Sequence, residues 1–250
     1  MFYIRFTKNM KTSEYISSAI DRLPKLYVFT YMDFINKVKS REAVIKALNR
    51  MAASGKIAKL AKGKFYKPED TVFGKLQPVQ KQIVKDLLEN DGKSVGYLTG
   101  YSMYNQLGLT TQVSNIIQMG KNEIRPAFKR NLYTISFIKQ KNTITKENIP
   151  LLQILDAIRY IKKIPDTDPV SACKRLLSII KDLEINDKST MVRLALKYPP
   201  AARALLGAIL EDTGNISLTD PLRKSLNQIS TFKLSGADKI LPAAIKWNVK

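Results

Sequence analysis

Apolar residues recur at three- and four-residue spacing at Ile16, Ala19, Ile20 and Leu23, which predicts an amphipathic helix over about Ser13–Leu23. Thr12 or Ser13 supplies its N-cap, and Pro24 stands just past its end. A short extended segment, Tyr27–Phe29, follows. Thr30 then caps a second short helix, Tyr31–Val38, that buries Phe34 and Ile35. Ser40 opens a third helix, about Arg41–Ser54, with Glu42 in its first turn and Gly55 at the C-terminal stop. On a helical wheel Val44, Ala47, Leu48 and Met51 form one stripe, which is expected to face the core. Two extended stretches, Lys56–Leu60 and Phe65–Lys67, flank a turn at Ala61-Lys62-Gly63-Lys64 and end at Pro68.

Three short helices followed by a β-hairpin is the element order of a winged helix-turn-helix. Beyond residue 70 the pattern predicts a helix from Pro78 to Asn90, stopped by Asp91-Gly92, and a short helix over Gly100–Leu107. Strands are expected at Val113–Gln118, Glu123–Phe128 and Leu132–Lys139. From Asn148 the periodicity is helical, over about Ile149–Ile164, Pro169–Glu184, Ser189–Lys197, Pro199–Glu211 and Pro221–Ile229. The expected class is α+β, mostly α. It comprises an N-terminal winged helix-turn-helix (1–70), a small α/β middle region (71–147) and a helical C-terminal region (148–250). The alternative division treats 71–250 as one domain.

Charge narrows the choice of partners. The chain carries 42 Lys and Arg against 21 Asp and Glu, a net charge of +21. Such an excess points to nucleic acid or an acidic protein surface. It is densest in the N-terminal segment, where Lys56, Lys59, Lys62, Lys64 and Lys67 follow one another with no acidic residue between them.

The face of the third helix opposite its apolar stripe carries Glu42, Ile45, Lys46, Asn49 and Ala53, with Arg50 flanking and Arg41 in the first turn. A helix in the major groove presents its first residues to base edges. Arg41, Lys46 and Arg50 suit guanine acceptors, Asn49 suits adenine, and Ile45 suits a thymine methyl. Lys59, Lys62 and Lys64 on the hairpin suit backbone phosphates, with Tyr31 and Lys37 adding backbone contacts. The expected partner is double-stranded DNA. A merely solvated face, or a winged helix that docks only protein, is the competing interpretation.

Enzyme chemistry finds little material. There is no histidine, so His-based triads, Cys–His dyads and His metal sites are absent. One cysteine, Cys173, makes no internal disulfide and no multi-cysteine metal or redox motif. Gly92-Lys93-Ser94 lacks the glycine that a phosphate-binding loop places five residues before its Gly-Lys pair, where Leu87 stands. The pair Asp166 and Asp168 is better read as a linker whose aspartate caps the next helix than as a magnesium site. Ser-x-x-Lys spacings at Ser136/Lys139, Ser171/Lys174 and Ser178/Lys181 are those that chance gives in a lysine-rich chain. A non-enzyme without cofactor or metal is expected. The start of the chain, charged at Arg5 and Lys8, lacks a signal-peptide apolar region. The longest mostly apolar run, Ala201–Leu210, is too short for a membrane span and contains Arg203. A soluble cytoplasmic protein with no membrane partner is the expectation.

The run from Val28 to Tyr66 resembles the AbiEi-like antitoxins and related regulators of type IV toxin–antitoxin systems. The matching residues are Phe29-Thr30 before Asp33-Phe34, Ser40-Arg41-Glu42-Ala43-Val44, and Ala47-Leu48-Asn49-Arg50. Next come Gly55-Lys56-Ile57, Leu60-Ala61-Lys62-Gly63 and Phe65-Tyr66. A second patch lies at Gly100-Tyr101-Ser102 and Leu107-Gly108-Leu109-Thr110-Thr111-Gln112-Val113. The resemblance implies a protein that binds and represses its own promoter through the N-terminal winged helix. Its remaining portion would oppose a nucleotidyltransferase-like toxin. Carried over, the DNA-contacting positions are Ser40, Arg41, Lys46, Asn49 and Arg50, with Lys59, Lys62 and Lys64 on the wing. Two departures stand out: lysines occupy the hairpin where arginines are expected, and the region after residue 148 has no motif-by-motif match. The alternative function is a stand-alone winged-helix transcription factor whose C-terminal region senses a ligand or self-associates.

Overall fold

The computed structural model describes residues 11–38, 40–72 and 74–250, so the charged start at Arg5 and Lys8 lies outside it. The architecture is α+β. The chain divides into two compact units: the first runs up to Asp86 and takes in Arg130–Leu132, and the second comprises Leu87–Lys129 and Tyr133–Lys250.

The first unit begins with α1 (Thr12–Asp21), β1 (Val28–Thr30), α2 (Met32–Ile35), α3 (Arg41–Ala53), β2 (Ala58–Ala61) and β3 (Lys64–Tyr66). The strands form an antiparallel sheet in the order β1-β3-β2, with Phe65 opposite both Phe29 and Lys59 and a register shift between Lys59 and Ala61. Local chemistry sets the helix starts. Thr30 Oγ1 accepts the Met32 N–H at 3.2 Å, and the Asp33 carboxylate accepts the Thr30 N–H at 2.7 Å, a reciprocal cap ahead of α2. The helix is shorter than the Tyr31–Val38 expected, ending at Ile35.

Apolar positions from every layer meet in one core, formed by Ile16, Ile20, Phe29, Phe34, Val44, Leu48, Ile57 and Phe65. Phe29 meets Phe34 edge-on at 5.6 Å and stacks on Phe65 at 6.4 Å. Each such side chain, fully buried, contributes on the order of 1.5–3 kcal/mol of transfer free energy. The unit continues through β4 (Asp70–Thr71), β5 (Gly74–Lys75) and α4 (Gln80–Ile83).

The helix expected over Pro78–Asn90 is broken into α4 and a further turn, α5 (Lys85–Leu88). The first break falls at Val84, whose backbone leaves the helical region (φ −109°, ψ 15°), and the last residues are not helical at all. Glu89–Asn90 forms β6 and pairs with Lys93–Ser94, β7, around Asp91-Gly92. Both turn residues have positive φ, 48° and 76°, as a two-residue hairpin of this hand requires. The Gly92-Lys93-Ser94 tripeptide is therefore part of a hairpin.

The second unit contains β8 (Tyr97–Thr99), α6 (Tyr101–Gln106), β9 (Ile116–Lys121), the first two residues of β10 (Phe128–Arg130) and β11 (Tyr133–Lys139). Their sheet order is β10-β11-β9-β8, with β9 and β11 parallel and β8 antiparallel to β9. The strand expected over Glu123–Phe128 does not form, and only Phe128 enters a strand. Pro126, which cannot donate to a ladder, sits in the middle of the expected span.

Helices α7 (Ile149–Arg159), α8 (Pro169–Lys181), α9 (Ile185–Ala195), α10 (Pro200–Asp212) and α11 (Asp220–Lys224) follow. Asp168 caps α8, accepting the Val170 and Ser171 N–H groups at 2.9 and 3.0 Å. A closing turn, Pro242–Trp247, packs against α10.

Inside this unit Asp156 of α7 is fully buried and hydrogen-bonded. Tyr97 and Thr99 donate to its Oδ2 at 2.8 and 3.0 Å, and Tyr198 donates to Oδ1 at 3.0 Å. Among the described residues no helix is long and apolar enough to cross a membrane.

Candidate nucleic-acid interface

Helix α3 owes its start to Ser40, which sits in extended backbone and accepts the Ala43 N–H at 3.2 Å. The same hydroxyl donates to Glu42 Oε2 at 3.1 Å. Backbone hydrogen bonding, and then this hydroxyl, hold the Glu42 carboxyl below its ordinary pKa. One side of the helix is closed by burial of Val44, Ala47 and Leu48, with Met51 half-buried beside them. The opposite side leaves Arg41, Lys46, Asn49 and Arg50 exposed and Ile45 half-buried. Arg41 lies over the half-buried Tyr31 ring, 4.7 Å from its centroid. That contact ties the residue just before α2 to the first turn of α3 and limits the range of the guanidinium.

The hairpin begins directly after α3, where the Ile57 N–H donates to the Met51 carbonyl at 3.3 Å. Its lysines have two fates. Lys56 bonds Asp21 at 2.9 Å and also the Ser17 hydroxyl, and Lys67 donates to the Asp21 and Leu23 carbonyls at 2.7 and 2.8 Å. These two stitch the hairpin to α1 and the segment after it. Lys59 on β2 and Lys62 in the turn are exposed and, among the described residues, form no ion pair.

Lys64, read from the sequence as a phosphate contact, is instead engaged inside the unit, with Nζ 3.0 Å from Asp86 Oδ2. Asp86 also accepts from Arg130 at 2.7 Å, and Arg130 donates to the Ile83 carbonyl at 2.6 Å. Burial pushes the Asp86 carboxyl up, but hydrogen bonds and charge from Arg130, and then from Lys64, outweigh it and leave it below its ordinary pKa. Sequence reasoning missed Asp86 and Arg130. They stand 22 and 66 positions beyond Lys64, and no local pattern couples residues that far apart.

The arrangement is a capped helix with a buried stripe and a polar, cationic outer face, beside a hairpin with two free lysines. Such a surface can donate hydrogen bonds to base-edge acceptors and neutralise phosphates.

Residues 15–181 match a protein family described as a family of unknown function (DUF6088). Among solved structures, the crystal structure of RV2827C protein from Mycobacterium tuberculosis is similar, with a TM-score of 0.53 and 14% sequence identity. The likeness covers 92% of this chain and 87% of that one, and it bears on the fold alone. No curated protein matches the chain.

Proposed function

The chain belongs to the DUF6088 family of unknown function, and we propose that its first unit is a winged helix-turn-helix that binds double-stranded DNA. In this reading α3 is the recognition helix and the β2–β3 hairpin is the wing. The observation that carries it is the division of α3 into a fully buried stripe and an exposed face bearing Arg41, Lys46, Asn49 and Arg50. A solvated face is polar in any amphipathic helix; what favours DNA here is that these exposed groups are hydrogen-bond donors, three of them cationic, beside a hairpin with two more exposed lysines. Element order, the β1-β3-β2 sheet and the excess of basic residues give further support.

The role proposed for the whole chain is that of a non-enzymatic, cytoplasmic antitoxin and autorepressor that opposes a nucleotidyltransferase-like toxin. This part draws on the resemblance of Val28–Tyr66 and Gly100–Val113 to the AbiEi-like regulators. It assigns the second unit to toxin neutralisation.

Fluorescence anisotropy of the full chain with a duplex from upstream of its own reading frame, against a scrambled duplex, tests the first claim. Specific binding at least a thousandfold tighter than to the scramble is expected at physiological salt, on the order found for sequence-specific proteins. Equal affinity for both duplexes removes the autorepressor role, and no binding to either removes DNA binding. Co-expression with the product of the adjacent gene tests the second claim: rescue of growth supports it, and unrelieved toxicity overturns it.

A further inference from the structure

In the second unit one cavity of about 510 Å³ is lined by five cations, Lys139, Lys141, Arg159, Lys197 and Arg203, and by no carboxylate. Five positive charges around one space raise the potential there, with Arg159 and Arg203 partly buried and the three lysines exposed to solvent. None of the five forms an ion pair among the described residues, and Arg159 is the one that interacts with the buried Asp156 carboxyl. A second cavity of this unit makes the contrast. Its lysines, Lys93, Lys121 and Lys146, share their walls with Glu123 and Glu147.

Two further features add positive potential to the same space. Pro199 and Pro200, the cap and first residue of the 13-residue α10, line the cavity, so the positive end of that helix lies at its wall. Arg203, one turn further on, donates through NH1 to the Ser225 carbonyl at 2.8 Å. Its Nε is buried with no hydrogen-bond partner among the described residues. A buried donor left unpaired is costly, and this one is closed off from solvent.

The wall is also held in place. Tyr198 donates to Asp156, and Gln140 donates to both Tyr198 and Tyr97 at 2.8 Å. The Asp156 carboxylate behind that wall is fully buried among three hydroxyl donors.

We propose that this cavity binds a compact polyanion bearing two or more phosphate groups, such as a nucleotide or inorganic polyphosphate. The proposal is independent of DNA binding by the first unit. The volume lies within the range of small-ligand sites, and cationic residues from three segments of the unit line this one concave space.

Isothermal titration of the full chain with tripolyphosphate, and separately with ATP, is the test. Binding is expected to both; tighter binding of ATP assigns the site to nucleotides, and equal binding assigns it to the phosphate chain. The paired substitution Lys141→Glu with Lys197→Glu, both exposed, should weaken binding at least tenfold while leaving the thermal melt unchanged. Lys93→Glu with Lys146→Glu, in the other cavity, should alter it less than twofold. No binding, or equal weakening by the two pairs, overturns the proposal. So does displacement of tripolyphosphate by duplex DNA that persists in a Lys59→Ala/Lys62→Ala protein.

Discussion

Lys64 Nζ lies 3.0 Å from Asp86 Oδ2, on a carboxyl that also takes the Arg130 guanidinium at 2.7 Å. A lysine already neutralised inside its own unit releases few DNA counter-ions on binding. If the first unit binds DNA as proposed, the salt dependence should therefore follow Lys59 and Lys62. Replacing those two by alanine is expected to flatten the log–log salt slope by about 2, close to 0.9 for each phosphate that is no longer neutralised. Lys64→Ala should change it by less than about 0.5. Anisotropy titrations across a salt series read both numbers, and a slope that falls as much for Lys64→Ala as for Lys59→Ala would overturn the distinction.

The same carboxyl makes a stability prediction. Arg130 is 6% exposed, whereas Asp86 is 39% exposed, so solvent screening reduces the value of the cluster. Asp86→Asn should cost about 1–2 kcal/mol at neutral pH, chiefly by leaving the guanidinium with only neutral acceptors. Because the folded-state pKa of Asp86 is depressed, its contribution is present above the ordinary carboxylate range and is lost as pH falls through the folded value. Urea unfolding should show the gap between wild type and variant closing from pH 7 to pH 3. A gap that widens in acid contradicts the assigned sign.

Asn49 is exposed on the outer face of α3. If it pairs bidentately with an adenine, Asn49→Ala should relax preference at one base pair by about 1–3 kcal/mol and leave other positions unchanged. Competition with a set of single-base operator variants measures this. Uniform weakening across the set would reduce Asn49 to a backbone contact.

Much of the first unit could be read from its sequence because its signals are local. Caps at Thr30 and Ser40, the Val44/Ala47/Leu48 stripe and the glycine after α3 each act within a few residues. The hairpin at Asp91-Gly92 was equally local but was masked by the apolar run Ile83, Val84, Leu87 and Leu88, which has helical spacing. What could not be read was long-range. The partners of Lys64 and the five cations of the cavity come from segments separated by tens of residues, and their meeting depends on tertiary packing. The helix expected over Pro221–Ile229 ends at Lys224, and the stretch beyond Ile229, for which the sequence predicts no element, places Trp247 against α10.

That last contact is tight. A Cβ at Gly207 would run into the Trp247 indole, which is 3% exposed and donates to Glu211 at 2.9 Å. Gly207→Ala gains helix propensity but must displace the ring. A net loss of about 1–3 kcal/mol is expected, the usual range for overpacking. Thermal unfolding followed by tryptophan fluorescence would register it. A melting temperature at or above that of wild type would mean that the indole moves aside freely.

Asp156 gives the pH dependence the opposite sign from Asp86. Burial raises its pKa to about 6, against the pull of hydrogen bonds from Tyr97, Tyr198 and Thr99. The unfolded chain holds the proton less tightly, with a value near 3.8. Stability from this group is therefore complete below about pH 4 and lost as pH rises through about 6. Protonation need not break the network, because the Tyr198 hydroxyl can turn to the Leu152 carbonyl, 3.4 Å away. Asp156→Asn keeps the shape and removes the titration. In urea unfolding the stability of wild type relative to this variant should fall by on the order of 2–3 kcal/mol between pH 4 and pH 6.5. Taking the difference between the two proteins cancels the titration of every other carboxylate that the substitution leaves unperturbed. A difference that stays flat across that interval would mean that the carboxyl is already ionised in the folded state at pH 4, stabilised by its three hydroxyl donors more strongly than burial opposes it.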